Sequence, residues 1–547
     1  MDARHTASEV ERRATGARLA LSWAVVALLA SSVPLVAGCD EREAAASVAT
    51  LKMPLDTEPP SLDPQLAQDV TSFHMVTNLF EGLTKLAPDG GTLPAVARSW
   101  ETREDGKVYV FHLDPRSRWS DGKPVSAADF VYAWRRLIDP DVAAEYAYIL
   151  YDLENAKDVN AGKLPLEALG VAAPDPLTFE VRLTKPLVTL PAIAEMMNTF
   201  PVRQDVVEAY GDRWTSPEHL VGNGAYRLES WRHDYRLVLT ANPHYRLGPP
   251  AIERVEAFVV ATKSTGLNLL ETGKLDWIEL TGQDLPAYQD DPRLHSKPQF
   301  YGVYYGFNVG KKPFDDVRVR KALSLAIDRS ELPRVLRGGQ VPTTSWIPPG
   351  LLGYAPGIGL GYDPERARSL LAEAGFPGGK GFPRADLAYN EDPDYRAVSE
   401  NLAAQWRRNL GVEVTIDSQE WKVYLRALST DPPEIWRLGW QADFADPDNF
   451  MSQFTTDSGN NWTRWGNARY DELVAHAAAE PDVEKRRALY DEAQRILTEE
   501  EVPVVCLYTR AQNELISPRL RGYEPNPMDL IDLSRMSLVA MPEQPAP

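Results

Sequence analysis

The apolar and polar positions of this chain follow two periods, one typical of strands and one typical of helices. Val108–Leu113 (VYVFHL) is a β-branched and aromatic run, which predicts a strand. Ser126 then stands as a helix N-cap, with Asp129 three residues later, before the apolar periodicity of AADFVYAWRRLI. A strand followed by a helix is therefore predicted early in the chain.

The second half of the chain continues this alternation. Residues 314–337 contain a long helical stretch that includes VRKALSLAI. Asp363 and Pro364 begin another helix at its cap and first turn, and Gly375 ends it. Helices interspersed with short strands indicate an α/β fold rather than a bundle or a sandwich. Three further elements are predicted: a helix over 395–410, a strand over 411–416 (GVEVTI) and an amphipathic helix over 483–497.

The N-terminus has the layout of a secretory signal peptide over residues 1–38. Four arginines precede an apolar run at 19–38, and small residues come before a break. A membrane-spanning helix is the alternative, but the run barely reaches the roughly 20 residues that a span needs, and Pro34 lies inside it. We therefore expect an exported protein.

The end of this leader, residues 35–39 (LVAGC), resembles the bacterial lipobox, in which the cysteine becomes lipidated and N-terminal. This resemblance predicts a lipid anchor at Cys39 and a short tether over 39–50. Cys506 is then the other cysteine of the chain, so no intramolecular disulfide is possible in the mature protein. Because Cys506 lies in the apolar run VPVVCLY, we expect a buried, inert thiol.

Composition excludes several classes of protein. The chain has 547 residues, of which 44% are hydrophobic and 25% charged, as in soluble globular proteins. These values exclude a disordered chain, a coiled coil and a multi-pass membrane protein. The formal net charge is −20, and so acidic a chain repels phosphate backbones, which argues against a nucleic-acid partner.

Local motifs for catalysis are not found in the sequence. No two of the eight histidines are spaced i, i+3 or i, i+4, and the sequence contains no GxSxG, Walker or GxGxxG string. We therefore expect no metal and no cofactor. A pair of glycosidase-like carboxylates leaves no local motif, so that possibility stays open.

Seven strings, in order along almost the whole mature chain, resemble the oligopeptide-binding proteins of ABC importers, which belong to family 5 of the solute-binding proteins. That family includes dipeptide-, oligopeptide- and nickel-binding members. The strings are EPPSLDP (58–64), NLFEGLTKLAPDG (78–90), LPAVARSWE (93–101), WSDGKPVSAADFVYAWRR (119–136), GNGAYRLESW (222–231), PFDDVRVRKALSLAIDR (313–329) and GWQADFADPDNF (439–450).

The resemblance implies an α/β, two-lobe periplasmic-binding-protein fold of type II, with an extra subdomain and a ligand cleft between hinged lobes. The first lobe would comprise 47–292 plus 510–545, with a smaller subdomain at about 71–194. The second lobe would comprise 293–509. Members of the family bind peptides and deliver them to a membrane permease without chemistry, so the expected partners are short peptides and ABC permease subunits. We expect a monomer.

The resemblance also implies which residues hold a peptide. Asp443 matches the family aspartate that binds the peptide N-terminus, and a loop Asp capping a turn beside Pro is the alternative. Trp440 should line the same cleft, unless it is an ordinary core residue. Arg437 matches a family arginine for the carboxylate, a group that the planar guanidinium pairs with bidentately.

Three further positions are implied less directly. Arg337 falls where close relatives carry a lysine that binds the carboxylate or backbone, although a surface arginine is an equal alternative there. Glu58 matches an acidic cleft residue near the start of the fold. Tyr132 matches a cleft tyrosine in the string DFVYAW.

The sequence also departs from the family. Tyr395 occupies the place of a family histidine, Leu428 occupies a basic position, and Tyr508 corresponds to a cleft tyrosine. Because such groups receive the peptide C-terminus at different distances, these departures leave the preferred peptide length open.

Three hypotheses of function follow. The first is a lipid-anchored, peptide-binding component of an ABC importer on the periplasmic face of a bacterial membrane, or on the outer surface of the cell membrane in a Gram-positive host. The second keeps the fold but binds another small solute, such as a nickel chelate or an oligosaccharide. The third is a secreted peptidase or glycosidase. Retention of both Asp443 and Arg437 favours a zwitterionic peptide.

Overall fold

The structure is a computed structural model that describes residues 50–88 and 90–540. The predicted signal peptide at 1–38, the lipidation site Cys39 and nearly all of the tether at 39–50 lie outside this part. No helix within the described ranges is long and apolar enough to cross a membrane.

A four-stranded sheet begins the described chain. Its strands are β1 (Thr50–Leu55), β8 (Tyr226–Arg232), β9 (Arg236–Ala241) and β10 (Arg254–Val259), in the order β1-β10-β9-β8. β1 is parallel to β10, and the other pairs are antiparallel. Alternate residues of β1 are buried, as the period of a strand with one face on a core requires.

A second, antiparallel sheet has the order β4-β5-β7-β6. The predicted strand at Val108–Leu113 is its β5 and is confirmed. The helix Ala127–Leu137 begins at Ser126, whose N–H donates to Asp129 Oδ2 at 2.7 Å, so the predicted capping box is confirmed as well. The other strands of this sheet are β4 (Ala97–Arg103), β6 (Val171–Asp175) and β7 (Thr178–Arg182).

The largest sheet follows the path β11-β17-β12-β16-β14-β15, with β13 beside β17. Its two longest strands, β12 and β17, run antiparallel side by side. Both faces are covered, because alternate residues of β12 enter different cores, with Tyr305 in one and Tyr304 in the other. The strands are β11 (Trp277–Glu279), β12 (Leu294–Phe307), β13 (Val341–Pro342), β14 (Ala385–Asn390), β15 (Val414–Gln419), β16 (Ile435–Gln441) and β17 (Val504–Ile516).

The helices around this sheet match the expectations closely but not fully. The helix Pro364–Glu373 is capped by Asp363, and Gly375 follows it with a φ of 96°. The helical stretch expected within residues 314–337 is Val317–Leu325. A separate short helix, Leu332–Leu336, follows after a turn in which the Asp328 carboxylate accepts from Ser330 N–H.

The boundaries of three elements differ from the prediction. The helix expected over 395–410 is Pro393–Leu410, and the strand after it begins at Val414 rather than at Gly411. Gly411 takes the left-handed conformation that ends the helix, with a φ of 69°. The amphipathic helix predicted over 483–497 is Val483–Arg495, followed by a π-helical turn at Ile496–Glu500.

The remaining elements are short. The small strands pair as β2 (Thr84–Leu86) with β3 (Thr92–Pro94) and β18 (Leu520–Arg521) with β19 (Ser537–Leu538). The other helices are Val70–Leu79, Ala156–Asn160, Leu190–Ile193, Gln204–Tyr210, Lys263–Glu271, Trp421–Thr430, Asp448–Met451 and Ala468–Ala479.

The hydrophobic cores show how the chain returns on itself. One core combines residues 51–257 with residues 516–536 from the C-terminal segment. Two others, built mainly from residues 300–508, cover the two faces of the large sheet. The C-terminal segment therefore packs on the same core as the start of the described chain. The lobe boundaries expected from the sequence remain a prediction.

Candidate functional site

The loop after β16 is shaped by one buried amide, that of Asn449. Its Oδ1 atom accepts hydrogen bonds from Trp440 Nε1 at 2.8 Å and from the Asp443 backbone N–H at 2.9 Å. Its Nδ2 group donates to Asp443 Oδ2 at 3.3 Å. Asn449 therefore fixes Trp440 and Asp443 relative to each other.

A buried ion pair holds the same loop on the helices behind it. The Arg486 guanidinium donates to both carboxylate oxygens of Asp446 at 2.7 Å, and its Nε donates to Ala477 O at 2.9 Å. Tyr490 OH donates to the neighbouring Asp448 at 3.3 Å. Burial, together with the charge of Asp446, raises the pKa of Asp448 to about 7. A bidentate pair of this kind restricts the loop to one geometry.

The Asp443 carboxylate has neutral partners. Besides Asn449, Tyr148 OH donates to its Oδ2 atom at 3.2 Å. Burial raises the pKa of Asp443, while the hydrogen bonds from Asn449 and Tyr148 act in the opposite direction. No Lys, Arg or His within residues 50–88 and 90–540 forms an ion pair with it. A desolvated carboxylate with only neutral donors is a site for a cation brought by a ligand.

A cavity of about 350 Å³ adjoins Asp443. It brings together the loop after β16, the helix Val70–Leu79 and the segment around Met196, which are far apart in sequence. Tyr146 stacks on Tyr148 with ring centroids 5.8 Å apart, so aromatic rings flank the carboxylate. The cavity is lined by Gln68, Asp69, Val70, Phe73, Leu86, Tyr146, Glu195, Met196, Met197, Gln441, Ala442, Asp443, Phe444, Ala445, Met528, Asp529 and Leu530.

Arg437 lies in β16, with 3% of its surface exposed. Its guanidinium carbon stands 3.3 Å from the ring centroid of Tyr395, and Nη1 is 3.4 Å from Asn390 Oδ1. Its Nε and Nη2 groups are buried without a hydrogen-bond partner in the described part of the chain. Because an unpaired buried donor is costly, these two N–H groups are available for an acceptor from outside the chain.

A second guanidinium, that of Arg510, shares Tyr301 as a neighbour with the first. Arg510, an exposed residue of β17, lies 4.9 Å above the Tyr301 ring. Burial would raise the pKa of Tyr301, but the charges of Arg437 and Arg510 hold it below its ordinary value. Neither arginine has a salt bridge to a carboxylate of the described residues. This arginine pair, Arg437 and Arg510, therefore forms a positive pole.

Strand geometry explains why these groups meet. Tyr305 pairs with Arg437, Val303 with Gly439 and Tyr301 with Gln441, so the side chains of β12 and β16 at these positions share one face. Gly439 leaves space on that face, and a Cβ atom there would collide with the Tyr301 ring. Asp443 follows two residues after the end of β16. Arg437 and Asp443 are therefore both positioned by the same strand.

The structure places five of the expected site residues either at Asp443 or at the positive pole formed by Arg437 and Arg510. Trp440 is near the end of β16, and Asp443 lies in the loop after it. Arg437, Tyr395 and Tyr508 belong to the positive pole. Tyr508 is buried, and burial raises its pKa while the charge of Arg437 acts in the opposite direction. Their roles toward a ligand remain a proposal.

The other expected residues lie elsewhere. Arg337 is exposed and left-handed, with a φ of 57°, at the end of the helix Leu332–Leu336. The Glu58 carboxylate accepts from Asp234 N–H at 2.9 Å and bonds His233 Nδ1 at 2.5 Å. These bonds, against the opposing effect of burial, lower the pKa of Glu58. Tyr132 lines a separate groove of about 860 Å³, and Leu428 is a fully buried core residue.

The structure adds residues that the sequence analysis did not single out. These are Tyr146, Tyr148, Glu195, Tyr301 and Arg510. Three of them left a signal: the alternating tyrosines of EYAYIL, and the one acid in the apolar run AIAEMMN. The other two leave no local signal, because only strand pairing brings them beside Arg437.

The remaining cysteine of the described chain is a buried thiol. Cys506 is free and 3% exposed, and burial raises the pKa of its thiol to about 12, which agrees with the expected inert cysteine. Among the described residues, no three His, Cys, Asp or Glu side chains group in a way that could hold a metal ion.

Comparison with known proteins gives extensive matches. The chain is 34% identical to the periplasmic oligopeptide-binding protein OppA of Salmonella typhimurium, over 94% of this chain and 97% of the relative. It is 33% identical to the probable deoxycholate-binding periplasmic protein YgiS of Escherichia coli, over 87% and 91%. The solved structure of MppA, a periplasmic murein tripeptide binding protein, in its unliganded open form aligns with a TM-score of 0.81. It has 31% sequence identity and covers 90% of this chain and 98% of the other.

These matches confirm the α/β, two-lobe, type II fold that the sequence strings implied. The family described as "Bacterial extracellular solute-binding proteins, family 5 Middle" matches residues 92–462, more than half of the chain. The chain therefore belongs to family 5 of the bacterial extracellular solute-binding proteins.

Proposed function

We propose that this protein captures short peptides between its lobes and delivers them to the permease of an ABC importer. The observation that carries the proposal is the Asp443 carboxylate, which is desolvated beside a cavity and receives only neutral hydrogen bonds. A peptide N-terminal ammonium supplies the missing positive charge. Burying that ammonium without a carboxylate would be very costly, so Asp443 gives both affinity and orientation.

The arginine pair supports the same ligand class. The Arg437 guanidinium, with two unpartnered N–H groups, suits the bidentate binding of a peptide carboxylate. The Cα atoms of Arg437 and Asp443 are six residues apart, so they lie at most about 20 Å from each other. An extended peptide rises about 3.3 Å per residue, so a peptide of about six residues or fewer spans that distance. The proposed ligand is therefore a short, zwitterionic peptide.

Sequence-tolerant binding has a physical basis in such a site. The backbone of an extended peptide can pair with the protein in the manner of an added strand. Side chains can enter pockets that keep water, and bridging water accepts varied partners. Closing of the two lobes around the peptide would then shift an open–closed equilibrium, and the permease would read the closed form.

The cellular setting completes the proposal. Residues 1–38 would direct export, and a lipid on Cys39 would hold the protein at the membrane surface where the permease lies. The first lobe would comprise 47–292 plus 510–545, with a subdomain at 71–194, and the second lobe 293–509. Transport without chemistry agrees with the family, whose members are solute-binding proteins.

Calorimetric titration tests the proposal. We expect Ala-Ala-Ala to bind the protein at least a hundredfold more tightly than N-acetyl-Ala-Ala-Ala, which has no ammonium. Asp443→Asn should cost about 3–5 kcal/mol of binding free energy, because the ammonium would be buried unpaired. Asp457→Asn removes a carboxylate from an exposed loop position and serves as the matched control. A loss below tenfold for Asp443→Asn would contradict the proposed role.

A second candidate ligand comes from the relative named as a probable deoxycholate-binding protein. A bile acid has a carboxylate but no ammonium, so Arg437 could bind it while Asp443 would remain unpaired. The same titration with deoxycholate separates the two ligands. Deoxycholate binding that is unchanged by Asp443→Asn, together with no binding of Ala-Ala-Ala, would replace the peptide assignment.

A further inference from the structure

Glu195 is a buried carboxylic acid in the wall of the Asp443 cavity. It follows the short helix Leu190–Ile193 and has 8% of its surface exposed. Its Oε1 atom is buried without a hydrogen-bond partner in the described ranges, while Thr92 bonds the carboxyl group. Burying a carboxyl group with an unused oxygen reduces stability, so the residue calls for an explanation other than packing.

Four carboxyl side chains line this cavity, and no Lys, Arg or His is among the described residues that line it. Two of the four have structural partners. Asp69 caps a helix by accepting from the N–H and hydroxyl of Ser72, and Asp529 accepts from Gln512 Nε2 at 2.7 Å. Asp443 and Glu195 are the two that face the cavity without such a role.

The surroundings of Glu195 favour the protonated, neutral form of its carboxyl group. Burial, with a contribution from the charge of Asp446, raises the pKa of Glu195 to about 8, against the hydrogen bond with Thr92. Its chain neighbours Met196 and Met197 offer no charge. A neutral acid in this place avoids the cost of a buried anion until a positive group arrives, and it can then ionise to pair with that group.

We infer that Glu195 is a specificity-determining residue, which pairs with a cationic side chain on the first residue of the bound peptide. The inference rests on the proposed function, because Asp443 must already hold the ammonium of that first residue. Two positive groups on one residue, an ammonium and a basic side chain, match the two carboxyl groups, Asp443 and Glu195, that line one cavity of about 350 Å³ and have no ion-pair partner among the described residues. The preferred ligand class is therefore a short peptide with Lys or Arg at its N-terminus.

Matched peptides give the sharpest test. Lys-Ala-Ala and norleucine-Ala-Ala have side chains of nearly equal length, and only the first is charged. We expect the wild-type protein to bind Lys-Ala-Ala at least tenfold more tightly. Glu195→Gln should bring the ratio of the two affinities close to one, whereas Glu472→Gln, at an exposed helix position, should leave it unchanged.

A measurement on the wild-type protein alone keeps the inference falsifiable if Glu195→Gln does not fold. Acetylation of the lysine Nζ removes the charge and keeps the stem, so the peptide with Nζ-acetyl-lysine should lose at least tenfold in affinity. Equal affinity for the charged and uncharged peptides, or a ratio unchanged by Glu195→Gln, would overturn this inference while the peptide-binding function stands. If neither peptide binds, both proposals are wrong.

Discussion

At the scale of single residues, Arg437 shows how aromatic rings hold a charge without neutralising it. Tyr395 lies against the flat face of the guanidinium, and the N–H edges of Nε and Nη2 stay unpaired. A cation–π contact stabilises the charge but leaves those hydrogen-bond donors for a ligand. Burial raises the pKa of Tyr395, so its ring stays neutral and leaves the charge of the guanidinium unopposed.

We expect Arg437→Lys to weaken the preference of the protein for a free peptide carboxylate. Lysine keeps the positive charge but cannot form the bidentate pair or the flat contact with Tyr395. The measurement is the ratio of affinities for Ala-Ala-Ala and its C-terminal amide, which should fall about tenfold in the variant. Arg510→Gln should lower the ratio in the same direction by a smaller factor. If Arg437→Lys leaves the ratio at its wild-type value, the carboxylate does not bind at this pole.

At the scale of elements, the strand β17, which pairs with β11 and β12, contains a buried acid. Glu514 is 3% exposed and accepts hydrogen bonds from Tyr523 OH at 2.6 Å and Gln512 Nε2 at 3.3 Å. Burial, helped by the charges of Asp529 and Glu279, raises its pKa to about 8. The folded strand therefore holds this proton at a pH where an unfolded glutamate has lost it.

This shift predicts a pH dependence of stability. Between about pH 4.5, near the pKa of an unfolded glutamate, and pH 8, the folded state binds one more proton than the unfolded state. The free energy of unfolding should therefore fall as pH rises, by at most about 1.4 kcal/mol per pH unit from this group. Glu514→Gln should remove this contribution, so the variant gains stability relative to the wild type as pH rises from 5 to 8.

Urea unfolding at several pH values measures the difference. Glu472→Gln, which removes an exposed glutamate, is the control and should follow the wild-type curve. Stability curves that run parallel for the wild type and Glu514→Gln across this range would show that Glu514 does not titrate as described.

The elements were largely predictable from local sequence because their boundaries are local events. A capping carboxylate at Asp129 or a left-handed Gly411 acts within one turn, so its effect is visible in a few residues. The differences at element ends have the same origin. The strand predicted over 411–416 begins only at Val414, because Gly411 still belongs to the end of the preceding helix.

The site residues were predictable only where they lie in or near a sequence string that resembles the family. Asp443, Trp440 and Arg437 lie within seven residues of chain, in or beside one motif, and the structure places them on one strand and its loop. Glu195 lines the cavity beside Asp443, and Tyr148 donates to the Asp443 carboxylate, from segments more than 240 residues away in sequence. Such contacts depend on the packing of whole lobes, and no spacing in the sequence encodes them.

At the scale of the whole molecule, the likeness to an unliganded open form predicts that ligand changes the shape of the protein. We expect Ala-Ala-Ala to decrease the radius of gyration measured by small-angle X-ray scattering. The ligand should also stabilise the folded state by about 2.7 kcal/mol at a hundredfold excess over Kd. Asp443→Asn at the same peptide concentration should show much smaller effects, because the expected loss of about 3–5 kcal/mol leaves that concentration below the Kd of the variant. A peptide that binds without any change in radius would contradict closure.

The burial of Cys506 has a practical consequence for measuring such motions. Its thiol lies in a core strand, with its protonated form favoured, so thiol-directed dyes will react with it slowly. With Cys39 replaced by serine, a pair of cysteines introduced at exposed positions on opposite lobes could be labelled selectively. Energy transfer between two dyes would then report opening and closing in single molecules, without first removing a native cysteine from the core.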